Sequence, residues 1–215
     1  MTTVGVLGGT FDPVHVGHVA VGQQAQRALG LDAVRLVPSR VPPHRSGPRA
    51  SGYHRFTMAA LVALDQDSWT VSDAELRREG PSFSYDTLAG LAAEGLQPTQ
   101  IFFLIGADAF AEIATWHRYP AVLDLAHFVV LARPGTALAA LGDRVPDLAP
   151  RIIGLDAARH GETTGIVLVD AATPGVSSTD IRERAARREP LAGLVTEPVE
   201  RYIRRHGLYG SGPHW

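Results

Sequence analysis

Short apolar runs alternate with amphipathic stretches along most of the chain. Residues 4–7 form a short apolar run, which is typical of a strand buried on both faces of a sheet. Residues 33–37 are predicted as a second strand and residues 101–105 as a central strand. After the first run, apolar residues recur at helical spacing and predict a helix that ends at Gly30: Val21, Ala25, Ala28 and Leu29. A strand, a glycine turn, a helix and a second strand together have the length of a βαβ unit.

The same alternation continues towards the end of the sequence. Further strands are predicted at residues 69–71, 127–132 and 166–169, and helices at 53–64, at 86–94 and from Ser177. A last helix is predicted from an apolar stripe: Val199, Tyr202, Ile203 and His206. We therefore expect an α/β fold with a Rossmann-like, doubly wound, mostly parallel sheet, which binds ligands at the carboxyl ends of its strands.

The length of the chain indicates one domain. A chain of 215 residues is within the size range of a single α/β folding unit. We assign residues 1–209 to this domain and residues 210–215 to a frayed tail. The polar, proline-rich stretch at residues 38–52 is a loop of a length that usually has a function.

Composition and charge exclude several classes of function. Lys and Arg number 20 and Asp and Glu number 22, so no overall field attracts nucleic acid or an anionic membrane. The absence of cysteine excludes disulfides, thiolate metal sites and a cysteine nucleophile. No apolar run approaches the ~20 residues of a membrane span, and no signal peptide is visible. We expect a cytoplasmic protein with neither nucleic acid nor a membrane as partner, and the sequence leaves open whether it forms a homo-oligomer.

The turn after the first strand carries the strongest chemical signal. It reads Gly-Gly-Thr-Phe-Asp-Pro-Val-His-Val-Gly-His at residues 8–18. Backbone amides at a helix N-terminus suit phosphate oxygens, and His15 and His18 on one helical turn can reach the same phosphate chain. A lone His-x-x-His is more often structural, but here both histidines accompany the glycines after a predicted strand. The turn predicts a nucleoside-triphosphate site; the alternative of a zinc site lacks a Glu between the histidines and a third ligand nearby.

A second anion pocket is predicted at Ser-Ser-Thr-Asp-Ile-Arg, residues 177–182. Hydroxyls and N–H groups at a helix start, with Arg182 about one turn later, suit a phosphate group. The alternative is an ordinary N-cap with a solvated arginine. Because this segment also follows a predicted strand, we expect it at the same edge of the sheet as the first turn.

These residues resemble a known family. The turn at residues 8–18 and the later Ser-Ser-Thr-x-x-Arg are similar to the paired signatures of nucleotidyltransferases with a HIGH-type motif. Further motifs occur in the order found in bacterial nicotinate-nucleotide adenylyltransferases: Pro-Pro-His-Arg at 42–45, Glu-Gly-Pro-Ser-Phe-Ser-Tyr-Asp-Thr-Leu at 79–88, Phe-Leu-Ile-Gly-Ala-Asp at 103–108, Trp116 and Arg-Pro-Gly at 133–135. The resemblance covers roughly residues 4–209.

What the resemblance implies is the transfer of AMP from ATP to nicotinate mononucleotide, which gives deamido-NAD and pyrophosphate in NAD biosynthesis. The mononucleotide phosphate would attack the α-phosphorus of ATP in line, without a covalent intermediate. The implied catalytic residues are His15, His18 and Arg182. The implied ATP-binding residues are Gly8, Gly9, Thr10, Phe11, His15, His18, Gly106, Asp108, Ser178, Thr179 and Arg182. We expect Mg²⁺ to be carried on ATP oxygens, and we predict no metal-binding residue because no carboxylate cage is visible.

The resemblance also implies a site for nicotinate mononucleotide formed by His44, Arg45, Ser84, Trp116 and His117. Arg45 stands where the family usually has Lys and would bind the phosphate. Trp116 would stack on the pyridine ring, while backbone amides near Ser84 and His117 would receive its carboxylate. The alternatives are core packing for Trp116 and a helix N-cap for Asp108. Phe83-Ser84 replaces the commoner Tyr-Thr and His117 a common Tyr, which leaves the preference for acid over amide open.

Other functions remain as alternatives. Within the same chemistry, the enzyme could prefer nicotinamide mononucleotide or be a phosphopantetheine adenylyltransferase, although the latter usually has Thr-x-Gly-His where this chain has His15-x-Gly17-His18. A non-catalytic nucleotide-binding module on the same fold is an alternative from another class. A metal hydrolase built on the two histidines is a third.

Overall fold

The computed structural model describes residues 2–43, 47–132, 145–171 and 173–210. The six strands are β1 (Val4–Gly9), β2 (Ala33–Pro38), β3 (Trp69–Val71), β4 (Ile101–Gly106), β5 (His127–Ala132) and β6 (Ile166–Asp170). The helices are α1 (Val16–Leu29), α2 (Gly52–Leu64), α3 (Ala74–Arg77), α4 (Ser84–Ala93), α5 (Ala107–Phe110), α6 (Leu155–His160), α7 (Ser178–Ala186) and α8 (Glu197–Arg205). Short 3₁₀ helices occupy Pro98–Gln100, Ile113–Thr115, Ala121–Asp124, Pro146–Arg151 and Leu208–Gly210.

The strands form one six-stranded sheet in the order β3-β2-β1-β4-β5-β6. The pairs β1–β4, β4–β5 and β5–β6 are parallel, with Val4 opposite Ile101 and Val129 opposite Val167. This order is that of doubly wound nucleotide-binding folds, in which the chain reverses direction across the sheet after the third strand. The predicted fold class is therefore confirmed.

Two compact units can be distinguished by their internal packing. The first comprises Met1–Gly8, Val21–Arg35 and Phe83–Thr173, and it contains β4, β5 and β6. All six residues of β5 are buried, as expected of a parallel strand covered on both faces. The second comprises Gly9–Ala20, Leu36–Ser82 and Pro174–Trp215. The second predicted phosphate motif and residues 9–18 of the first lie in this second unit.

The observed elements agree closely with the apolar pattern. The strand at residues 127–132 has the predicted bounds, and Gly30 follows α1 with a φ of 65°, as expected of a helix C-cap. His206 differs from the prediction, because it is an exposed C-cap residue of α8 and does not belong to its buried stripe. Three short helices, α3, α5 and α6, were not predicted, since four to six residues give too little periodicity. Of the predicted tail at residues 210–215, Gly210 ends the last 3₁₀ helix, and residues 211–215 lie outside the described residues. In the described part of the chain no helix is long and apolar enough to cross a bilayer.

Candidate functional site

The His-Gly-His turn, residues 9–18, joins β1 to α1 and brings its two histidines together. The ring centroids of His15 and His18 are 3.8 Å apart, and the ring planes are tilted by 30°. The main-chain N–H of His15 donates to Nδ1 of His18 at 3.2 Å. The ring of Phe11 meets His18 edge-on, with 5.0 Å between the centroids. The two predicted histidines therefore form one contacting pair.

The hydrogen bond to His18 determines its tautomer. An accepting nitrogen carries no proton, so neutral His18 has its proton on Nε2 and can donate from there. His15 is only 8% exposed, and burial lowers its pKa to about 4, so its ring is neutral near pH 7. Among the described residues, Nδ1 of His15 has no hydrogen-bond partner. The close pair thus avoids the repulsion of two imidazolium rings, and the proton of neutral His18 is on Nε2.

Space around the turn requires glycine at two positions. A Cβ on Gly17 would lie 3.0 Å from Cε1 and Nδ1 of His15. A Cβ on Gly9 would lie 2.9 Å from the ring of Phe11, and the carbonyl of Gly9 accepts the N–H of Ser39 at 2.9 Å. Any side chain at residue 17 would therefore displace the His15 ring.

The second predicted motif begins α7. Ser177 is the N-cap, and its hydroxyl accepts the N–H of Asp180 at 3.1 Å. The hydroxyl of Ser178 donates to the main-chain oxygen of Pro13 at 3.0 Å, across 165 residues of sequence. The helix start is therefore tied directly to the His-Gly-His turn, and the ordinary N-cap and the contact between the motifs are both present.

Arg182 makes the second connection between the two motifs. Its Nη1 donates to the main-chain oxygen of Asp12 at 2.7 Å, and its Nη2 donates to Oγ1 of Thr179 at 3.0 Å. The side chain is 19% exposed, and its Nε has no partner among the described residues. Because a guanidinium carries five N–H donors, these bonds fix the group and leave donors for an anion.

Asp12 is a functional candidate that the sequence reasoning missed. Its carboxylate is 5% exposed and accepts from the main-chain N–H groups of Arg49 and Ala50 at 2.8 and 3.1 Å. The phenol of Tyr209 donates to the same carboxylate at 2.7 Å, and Nη1 of Arg182 lies 4.0 Å from it. The signal for Asp12 was its place inside the motif, whereas nothing in the sequence distinguished Tyr209.

Arg55 is a second missed residue, and it is 1% exposed. Its Nη1 donates to the main-chain oxygen of Thr10 at 2.7 Å, and its Nε donates to that of Ala50 at 3.2 Å. Burial lowers the pKa of Arg55, while the nearby carboxylate of Asp12 opposes the shift. An arginine stays protonated under such conditions, so Arg55 places a buried positive charge beside the His-Gly-His turn. An arginine among the apolar residues of a predicted helix was the available signal.

In the first unit, Gly106 and Asp108 lie at the end of β4. Gly106 is exposed and is the N-cap of α5, and Asp108 is the exposed second residue of that helix. The alternative in which Asp108 caps the helix is therefore wrong. The carboxylate of Asp108 is in the first helical turn, where the helix dipole favours a negative charge, and it is open to a ligand.

The aromatic cluster consists of Phe83, Tyr85, Trp116 and His117, all in the first unit. His117 is exposed and stacks on Phe83, with 4.2 Å between the centroids and 20° between the planes. Tyr85 meets His117 edge-on at 6.3 Å. Trp116 is half-buried and meets Phe103 edge-on at 6.0 Å, so it is not completely enclosed in the core.

Ser84 is the first residue of α4, next to this cluster. The N-cap of α4 is Phe83, which makes no side-chain capping bond. The first N–H groups of a helix have no partners within the helix, so those near Ser84 can receive an anion. The other two predicted residues of this group, His44 and Arg45, lie outside the described residues.

Comparison with known proteins identifies the family. The cytidylyltransferase-like family model matches residues 6–184. A protein of Aeromonas salmonicida named probable nicotinate-nucleotide adenylyltransferase is 39% identical over 208 residues, covering 96% of each chain. The chain belongs to the nicotinate-nucleotide adenylyltransferase family. A family member from Symbiobacterium thermophilum with the same name is 38% identical, over 99% of this chain and 97% of its own.

Solved structures show the fold of this adenylyltransferase family. Nicotinic acid mononucleotide adenylyltransferase of Plasmodium falciparum, solved in complex with NaAD, matches with a TM-score of 0.74 at 15% identity, over 98% of both chains. A putative nicotinate-nucleotide adenylyltransferase of Vibrio parahaemolyticus matches with a TM-score of 0.58 at 17% identity, over 97% of this chain and 96% of its own. At these identities the structural matches support the fold alone.

Proposed function

We propose that the protein transfers AMP from ATP to nicotinate mononucleotide, producing deamido-NAD and pyrophosphate in NAD biosynthesis. One observation carries the proposal: the start of α7 is hydrogen-bonded to the turn that carries the contacting rings of His15 and His18. The bonds run from Arg182 to the main-chain oxygen of Asp12 and from Ser178 to that of Pro13. Family membership supports the choice of substrates. The proposed site of action is the cytoplasm, where ATP is available.

The arrangement suits direct transfer. An oxygen of the mononucleotide phosphate forms a bond to the α-phosphorus of ATP, the bond from that phosphorus to the bridging oxygen breaks, and pyrophosphate leaves with the electron pair. His18 donates from Nε2 to the transferring phosphate, with His15 packed against its ring. Arg182, with Ser178 and Thr179 at the start of α7, neutralises the leaving pyrophosphate. Catalysis then consists of positioning and charge stabilisation, without a covalent intermediate.

The remaining predicted residues are assigned to the binding of ATP and of the mononucleotide. The amides of Gly8, Gly9 and Thr10 and the ring of Phe11 line the ATP side, and Gly106 and Asp108 receive the ribose hydroxyls. On the mononucleotide side, Trp116 stacks on the pyridine ring, amides near Ser84 and His117 receive its carboxylate, and His44 and Arg45 bind its phosphate.

We also propose that a divalent metal ion binds together with ATP. In the described ranges no three His, Cys, Asp or Glu side chains are placed together to hold a metal ion. Mg²⁺ retains water and phosphate ligands more readily than it enters an all-protein cage, so we assign it to the ATP oxygens. Bound there, it would neutralise charge on the phosphate chain.

The test measures pyrophosphate release from ATP and Mg²⁺ with three acceptors in parallel: nicotinate mononucleotide, nicotinamide mononucleotide and phosphopantetheine. The expected result is release with a clear preference for nicotinate mononucleotide and formation of the dinucleotide. Release only with another acceptor would replace the substrate assignment. Binding of ATP without release with any acceptor would indicate a nucleotide-binding module, and phosphate release with bound zinc would indicate a hydrolase.

A further inference from the structure

We propose that Tyr209 is a positioning residue for the reaction, and that it acts through Asp12 on Arg182. The inference rests on the proposed function, because it assigns Arg182 to the leaving pyrophosphate. No catalytic role in contact with substrate is assigned to Tyr209 itself.

Tyr209 is hydrogen-bonded to the carboxylate of Asp12. The phenol donates to Oδ1 of Asp12 at 2.7 Å, and the two residues are 197 positions apart. Burial and the adjacent carboxylate raise the pKa of the phenol, so it keeps its proton and remains a donor throughout the pH range of an assay. A hydrogen bond from a neutral donor to a charged acceptor is stronger than one between neutral groups.

Asp12 in turn holds the guanidinium of Arg182. The anchor of the guanidinium is the main-chain oxygen of Asp12, at 2.7 Å from Nη1, and the carboxylate lies 4.0 Å from the same nitrogen. Movement of Asp12 therefore moves the acceptor on which Arg182 is oriented. The other bond of the guanidinium, to Thr179, is within its own helix and cannot hold Arg182 against the turn.

Three hydrogen-bond donors converge on the carboxylate of Asp12. The N–H groups of Arg49 and Ala50 hold the carboxylate from the loop before α2, and Arg55 holds the carbonyl of Ala50. Tyr209 is the side-chain donor among these three, and the substitution Tyr209→Phe deletes its hydroxyl with little change of shape. Its loss leaves the carboxylate with the two main-chain donors and the more distant guanidinium of Arg182, so the carboxylate is held less firmly.

The experiment compares Tyr209→Phe with Tyr202→Phe. Tyr202 lies on α8, is also half-buried, and its hydroxyl is 2.8 Å from Nδ1 of His54, so its substitution deletes a comparable hydrogen bond without touching Asp12. For Tyr209→Phe we expect kcat to fall about tenfold, while KM for both substrates changes less than about twofold. Tyr202→Phe should keep the kcat of the unsubstituted protein, with a comparable fall in Tm.

The route through Arg182 is tested by a double-mutant cycle. In an Arg182→Lys background the anchor on the Asp12 carbonyl is altered, so adding Tyr209→Phe should change kcat by less than about twofold. A second tenfold loss in that background, or equal kcat for Tyr209→Phe and Tyr202→Phe, would overturn the inference.

If Tyr209→Phe does not fold, Asp12→Asn tests the contact between Tyr209, Asp12 and Arg182 with Tyr209 in place. An unchanged kcat in this variant would contradict the positioning role. If the unsubstituted protein releases no pyrophosphate with nicotinate mononucleotide, the proposed function fails and the inference fails with it. Activity of the unsubstituted protein with no difference between the two tyrosine variants rejects the inference alone.

Discussion

The His-Gly-His turn and the aromatic cluster differ in how their side chains are held. In the turn, His18 is fixed by a main-chain donor, and Asp12 by two amides and a phenol. Arg182, which contacts the turn from α7, is fixed by a main-chain acceptor. In the cluster, Trp116 and His117 have ring contacts with aromatic neighbours, and His117 is exposed.

The difference separates two tasks. Groups that stabilise charge in a transition state must be held in place before the reaction, because reorganisation during the reaction would cost part of the stabilisation. Groups that recognise a flat ring need only a hydrophobic face, and stacking tolerates small displacements. We therefore expect changes in the turn to lower kcat and changes in the cluster to raise KM.

The largest expected effect comes from His18→Ala. Loss of one donor to a developing charge lowers kcat by about 100- to 1000-fold. The KM for the mononucleotide should change little, because the donor acts in the transition state. Steady-state kinetics with both substrates measure the separation, and equal losses in kcat and in binding would show that His18 holds the ground state.

Two conservative substitutions sharpen that result by separating the two ring nitrogens of His18. His18→Asn can accept the His15 N–H in place of Nδ1 but lacks the distal donor, so it should be as slow as His18→Ala. His18→Gln extends an amide donor towards the position of Nε2 and should recover part of the rate. The opposite ranking would assign the role of His18 to holding the turn.

Acid should lower the stability of the fold through the buried ring of His15 in the turn. His15 has a pKa of about 4 when folded and about 6.5 when unfolded. Below pH 6.5 the unfolded chain takes up a proton that the folded chain refuses, so stability is lost as pH falls from 6.5 to 4. The loss between pH 7 and pH 5 is about 2 kcal/mol.

Urea unfolding at pH 7 and pH 5 measures this loss, and His15→Asn should reduce it. The remaining pH dependence includes His127, a fully buried ring whose pKa burial also lowers. An unchanged pH dependence in His15→Asn would show that the ring of His15 is not buried as a neutral group.

A smaller effect is expected from Gly17→Ala. The new methyl group would lie 3.0 Å from the His15 ring, and the forced displacement should lower kcat by about tenfold. Gly90→Ala is the matched control in a helix of the other unit, because no heavy atom lies within 4 Å of its Cβ position. That control should keep kcat and gain up to about 1 kcal/mol in stability from helix propensity. Equal kcat in both variants would show that a methyl group at residue 17 does not disturb the His15 ring.

The smallest effect is expected in the aromatic cluster. Trp116→Phe retains an aromatic face of smaller area, so the KM for nicotinate mononucleotide should rise about threefold with kcat nearly unchanged. Initial rates at saturating ATP measure it. A fall in kcat larger than the rise in KM would break the distinction between the two regions.

The sequence was most informative where one local pattern decides the structure. Apolar runs set the strands, and glycines with histidines after a strand marked the His-Gly-His turn. Tyr209 could not be predicted, and Asp12 and Arg55 gave only weak local signals, because the roles of all three depend on tertiary contacts that span 37 to 197 residues. The alternative that Asp108 caps α5 was wrong because a cap depends on where the strand ends, and Gly106 ends β4 two residues earlier.

The bond between Asp12 and Tyr209 also has a consequence for biosynthesis on the ribosome. Asp12 is synthesised 197 residues before its partner Tyr209. At about 5–20 residues per second, synthesis of that stretch takes about 10–40 seconds. A nascent chain therefore carries both histidines long before it carries the complete arrangement, and the full rate of AMP transfer should be reached only after residue 209 has left the exit tunnel.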